Sequence, residues 1–127
     1  MLLEMQIPPE VLTIRITQYF TEMGIPMYLK GHKYLLYAVR ASFYHPLALK
    51  GMNEGLFCRI AEEYGTTSSS VERDGRTAIK RVKAYMLNSR HYEGETISVK
   101  KFIQLAVEVL SNEPVSVLIP SQKNGNK

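Results

Sequence analysis

The feature that most constrains this chain is the stretch 56–86, LFCRIAEEYGTTSSSVERDGRTAIKRVKAYM, in which two helical periods are separated by Gly65, Thr66 and Thr67. Leu56, Ile60, Ala61 and Tyr64 fall at i, i+4, i+5 and i+8, an apolar stripe at helical spacing, with Arg59, Glu62 and Glu63 on the other side. Gly65 is the residue best suited to the left-handed conformation that closes a helix, and Thr66 and Thr67 are candidate caps for the next one. In the second period Val71, Gly75, Ala78, Ile79, Val82, Tyr85 and Met86 recur every three or four residues and form the inward stripe. Two amphipathic helices joined by so short a turn have the outline of a helix-turn-helix, with the second helix predicted over 68–86.

The outward face of that second helix carries Ser69, Glu72, Arg73, Arg76, Lys80 and Lys83. Two readings stand side by side. Side chains near the start of a recognition helix meet base edges in the major groove, where Arg bonds guanine O6 and N7 with two donors and Glu accepts from a cytosine amine. Alternatively, Ser69 and Glu72 form an S-x-x-E capping box and the basic residues are a solvated face.

The rest of the chain is organised around this unit. At 127 residues, 45% hydrophobic, it suffices for one core, and a net charge of +4 permits a nucleic-acid partner without demanding one. The single cysteine, Cys58, excludes an internal disulfide and is expected to be a packed, inert thiol. No apolar run approaches the roughly 20 residues that cross a bilayer, and no signal peptide is visible, so no membrane partner and a cytoplasmic location are expected.

Pro8 and Pro9 introduce a regular helix in which Leu12, Ile16, Tyr19, Phe20 and Met23 share a face; Gly24 stops it. A second helix runs from after Gly31 to about Tyr44, burying Leu35, Ala38, Val39 and Phe43. Tyr34, Tyr37 and Tyr44 lie along its edge, with hydroxyls reaching water. With His32 and Lys33, Tyr34 and Tyr37 also suggest a surface for stacking bases. Residues 47–53 are a connection and Asn53 a candidate cap for the short helix. Residues 88–96 are a polar loop in which Arg90, His91 and Tyr92 can meet phosphates. Ser98 then caps a last helix to about Leu110, with Val99, Phe102, Ile103, Ala106 and Leu110 inward; residues 115–119 are β-prone, and the end of the chain is expected to be disordered.

Two longer motifs sharpen this. The run MGIPMYLKGHKYLLYAV, residues 23–39, carries a G-x-P-x-x-x-K-G-x-x-Y-L pattern, and IAEEYGTTSSSVER, residues 60–73, carries I-A-x-x-[FY]-x-T-T-x-S-x-V-E-R. Both, in this order, resemble the DNA-binding effector-domain family of stage 0 sporulation protein A, a response regulator, over roughly 11–113. The resemblance implies an all-α domain of about five to six helices containing the helix-turn-helix at 56–86, flanked by an N-terminal extension at 1–10 and a flexible tail at 114–127. It implies sequence-specific binding of double-stranded DNA as a transcription factor, with no cofactor or metal. Glu72, Arg73 and Arg76 are then the base-contacting residues, Arg76 being a base or phosphate contact. Thr67, Ser69, Ser70, Lys80 and Lys83 are the phosphate-contacting set. Homodimers on tandem sites and the transcription machinery are the implied protein partners.

The chain departs from the family pattern where Ser70 replaces a basic residue and where Asp74 and Gly75 replace alanine and an aliphatic residue. Gly75 costs about 1 kcal/mol of helix propensity relative to alanine, and Asp74 sets a negative charge beside phosphates. The length leaves no room for the phosphate-accepting receiver domain of such regulators. A whole natural chain would then be a constitutive binder, a competitor for regulator sites or a partner-controlled subunit; an excised domain would have an artificial start.

The competing class is a protein-interaction module on the same fold, using the tyrosine edge or residues 115–119. A DNA binder neutralising about six phosphates loses affinity with a log–log salt slope near about −5, and an interaction module shows no such loss. An enzyme is not expected: His32, His45 and His91 lie on separate segments, and no metal, nucleophile or phosphate-loop motif is present.

Overall fold

The computed structural model describes residues 7–45, 55–82 and 98–112. Five helices stand among them: α1 (Pro9–Met23), α2 (Lys30–Tyr44), α3 (Phe57–Tyr64), α4 (Ser68–Ile79) and α5 (Val99–Ser111). No strand occurs among the described residues, so the all-α expectation holds.

Helix α1 begins with Pro9 at its first position, where the missing N–H is no loss, and Glu10 in the first turn complements the helix dipole. It ends at Gly24, whose φ of 96° lets the Gly24 N–H reach the Thr21 carbonyl and the Ile25 N–H the Phe20 carbonyl. That is a Schellman closure, and it needs the conformation glycine adopts at least cost. Leu12, Ile16, Phe20 and Met23 are buried as their spacing predicts, while Tyr19 is half-buried.

Helix α2 is the centre of the domain, packing on all four other helices. A helix contacted from so many sides buries more than one stripe. Gly31, His32, Tyr34, Leu35, Ala38, Val39 and Ser42 are all buried on it. Tyr34, expected at the core edge, is 4% exposed, while Tyr37 and Tyr44 are half-buried at that edge. Phe43, expected inside, is half-buried at the margin. The Tyr44 hydroxyl donates to the Ile7 carbonyl, tying the end of α2 to the residues before α1.

Helix α5 starts at Ser98, whose Oγ accepts the Lys101 N–H at 3.0 Å. It buries Val99, Phe102, Ile103, Ala106 and Leu110 as predicted, and Leu105 as well. Phe102 meets Phe20 with ring centroids 5.8 Å apart, and the edge of His32 meets Phe20 at 5.3 Å, so α1, α2 and α5 converge on one aromatic centre.

The α3–α4 pair forms as its sequence implies, with three corrections. The buried stripe is Leu56, Phe57, Ile60 and Ala61, whereas Tyr64, the last residue of α3, is 38% exposed with its ring on Tyr34 and Tyr37. Cys58 is exposed rather than packed, since in an eight-residue helix position 58 turns to the side of Arg59 and Glu62. Helix α4 ends at Ile79 and not at 86: the Arg81 and Val82 N–H groups bond the Ala78 and Ile79 carbonyls three residues back, tightening 80–82 into turns. The expectations for Lys83, Tyr85 and Met86, for the 47–53 connection with Asn53, for the 88–96 loop with Arg90, His91 and Tyr92, and for 115–119 lie outside the described residues.

Candidate nucleic-acid interface

The turn between α3 and α4 is made by backbone chemistry that its residues dictate. Gly65 closes α3 with φ 66° and ψ 42°, its N–H on the Ala61 carbonyl, and the Thr66 N–H shares that acceptor at 2.9 Å. Thr67, in extended conformation, is the cap of α4, its Oγ1 accepting the Ser70 N–H at 3.1 Å. Of the candidate caps Thr66 and Thr67, Thr67 takes the role, and the alternative Ser69–Glu72 capping box does not form, because the chain reaches helical geometry at Ser68, one residue before Ser69.

Val71, Gly75, Ala78 and Ile79 face the core and hold α4 against α2, α3 and α5. What remains outside is the set of polar side chains. Ser69, Arg73, Arg76 and Lys80 are exposed, and Ser70, Glu72 and Asp74 are half-covered. Among the described residues the fold thus brings the expected base-contacting side chains Glu72, Arg73 and Arg76 onto one helix with the expected phosphate-contacting Thr67, Ser69, Ser70 and Lys80.

These groups are not independent. Arg76 Nη1 bonds Glu72 Oε2 at 2.8 Å, a pair four residues apart with the acid on the N-terminal side. In that orientation such an exposed pair stabilises a helix by about 0.3–0.5 kcal/mol. Arg73 Nη2 reaches Ser70 Oγ at 3.3 Å, and its Nε lies 3.8 Å from Asp74 Oδ1. The links of Arg73 to Ser70 and Asp74 escaped the sequence reading, although the three-residue spacing of Ser70 and Arg73 on a helix is a legible signal for the first.

The aromatic surface suggested for stacking bases is used internally. Tyr64 packs on Tyr34 at 5.5 Å and on Tyr37 at 6.4 Å, and the Lys33 ammonium sits 4.8 Å above the Tyr64 ring. His32 is buried, with Nε2 lacking a hydrogen-bond partner, and burial holds its imidazole below the ordinary histidine range. No group of three or more metal-ligating side chains gathers among the described residues, and no described helix is long and apolar enough to cross a membrane.

Helix order, a glycine-closed turn and a threonine-capped second helix make the α3–α4 pair a helix-turn-helix. The family described as "Sporulation initiation factor Spo0A C terminal" matches residues 16–115, and the chain belongs to that family. The family is the DNA-binding domain of a sporulation regulator, a regulatory and not a catalytic class.

Proposed function

We propose that this domain binds double-stranded DNA sequence-specifically as a transcription regulator, with α4 in the major groove. Arg73 reads a guanine, Glu72 and Arg76 share base contact, and Lys80 with Lys83 and the hydroxyls of Thr67, Ser69 and Ser70 meet phosphates. Self-association on tandem sites and contact with the transcription machinery belong to the same proposal.

One observation carries it. The apolar face of α4 is locked into the core while Arg73, whose side chain is 64% exposed, projects from the second turn of a helix that follows a short closed turn. Recognition helices present their first turns to base edges in this way. Reading through the tyrosine edge of α2, as a protein-interaction module would, draws less support, because Tyr34 is buried and Tyr64 is packed on Tyr34 and Tyr37.

Selection of bound sequences from a random duplex pool at two salt concentrations tests the proposal, with Arg73→Ala alongside. Enrichment of one motif by the wild type, lost in the variant, is the expected result. Weak salt-sensitive retention with no enriched motif would contradict it and turn the search to protein partners.

A further inference from the structure

Arg73 is restrained from two sides. Ser70 Oγ accepts from Arg73 Nη2 at 3.3 Å and also from the Thr67 hydroxyl at 3.0 Å, while the Ser70 N–H is fixed on Thr67 Oγ1. The serine oxygen is therefore set in place by the cap of the helix before it meets the guanidinium. On the other side Asp74 Oδ1 stands 3.8 Å from Nε, with the carboxylate partly covered at 25% exposure. The Ser70 contact occupies one proton of Nη2, and the carboxylate attracts the guanidinium from 3.8 Å, beyond hydrogen-bond reach. They leave Nη1 and the second Nη2 proton, the pair of donors that matches guanine O6 and N7 end-on.

From this arrangement we infer that Ser70 and Asp74 are positioning residues that set specificity, holding Arg73 for a guanine edge and discouraging its use on phosphates. The inference rests on α4 being the DNA-reading helix. Its physical basis is the difference between the two ligands. Guanine presents neutral acceptors and leaves the Arg73–Asp74 pair intact. A phosphate brings a full negative charge toward the Asp74 carboxylate and competes with it for the same cation. Asp74 thus acts against sequence-independent binding more than against the specific site, a repulsive element that raises the ratio of the two. At 3.8 Å and with the Arg73 side chain 64% exposed, the pair adds little stability and acts by biasing where the guanidinium points.

Purified wild type, Arg73→Ala, Asp74→Asn, Ser70→Ala and Ser70→Thr are titrated against the duplex enriched from the random pool and against a scrambled duplex, over a range of salt. Asp74→Asn should tighten the scrambled duplex by about two- to fivefold, the scale of one exposed charge pair, and the enriched duplex by less. Ser70→Ala should lower the ratio of the two affinities, and Ser70→Thr, which keeps the hydroxyl, should restore it. Equal tightening on both duplexes by Asp74→Asn would overturn the inference, as would an unchanged ratio in Ser70→Ala. Failure of the underlying reading looks different: Arg73→Ala would bind the enriched duplex as wild type does. Ser70 and Asp74 are half-covered and outside the buried stripe of α4, and Asp74→Asn keeps the main-chain carbonyl that faces α2, so each tests the claim separately in folded protein.

Discussion

Gly31, the second residue of α2, lies against the main-chain carbonyl of Asp74 on α4, so close that a Cβ at position 31 would run into that oxygen and stand 2.8 Å from Ala78 Cβ. The contact sets how near the central helix approaches the proposed reading helix. Because the obstacle is backbone, it cannot swing aside as a side-chain tip would. Gly31→Ala is expected to destabilise the domain by about 1–3 kcal/mol, the usual cost of overpacking. A thermal melt should show a fall of several degrees, at roughly 4–8 °C per kcal/mol for a domain near this size. A melt unchanged from wild type would mean that the two helices separate freely.

Gly75 of α4, facing α2 and α5, presents the opposite case. A Cβ there would meet Leu35 and Val99 at 3.6–3.7 Å, ordinary van der Waals contact, within the interior of α4. Gly75→Ala should therefore stabilise the fold by about 0.5–1 kcal/mol through helix propensity. The midpoint of a urea titration should move up, with its slope unchanged.

Thr67→Ala removes the cap of α4 and with it the single hydroxyl that holds both the N–H and the Oγ of Ser70. A loss of about 0.5–2 kcal/mol is expected, the range for such caps, whereas Ser69→Ala should sit within a few tenths of wild type. Denaturant titration of the two variants separates them, and equal losses would return the cap to Ser69.

Protonating His32 should work against folding. Its folded pKa lies below the ordinary 6.5 because burial disfavours the imidazolium, so the unfolded chain takes up protons first as pH falls. The contribution of neutral His32 is fully present above about pH 6.5 and is lost as pH drops toward the folded pKa, at up to about 1.4 kcal/mol per pH unit. Melting temperatures from pH 7.5 down to 5.5 should fall for the wild type and fall less for His32→Asn. Parallel curves would show that His32 does not carry the dependence.

These expectations also mark how far the sequence could be read. Helices α1 and α5 were legible to within a residue or two, because each couples a strict 3.6-residue stripe to a local stop or start: Gly24 for the first, Ser98 for the second. The turn was legible for the same reason, through Gly65. What escaped depends on neighbours distant in the chain. Tyr34 is buried because α2 is surrounded, and position 31 demands glycine because of Asp74, forty-three residues later; periodicity along one helix carries neither fact. The run of hydroxyl residues offers Thr66, Thr67 and Ser69 as caps, and the residue at which the backbone turns helical selects Thr67. On the outward face of α4 the residue types were readable, but the pairing of Arg76 with Glu72 and of Arg73 with Ser70 and Asp74 is a matter of rotamers.

If Arg73 reads a base, its removal costs nothing once that base is gone, and a double-substitution cycle measures this. Wild type and Arg73→Ala are titrated against the enriched duplex and against versions in which each guanine is replaced in turn. The account predicts a loss of about 1–3 kcal/mol for Arg73→Ala on the intact site, vanishing on the duplex that lacks one particular guanine. The same loss on every duplex would contradict it and reduce Arg73 to a charge near the backbone.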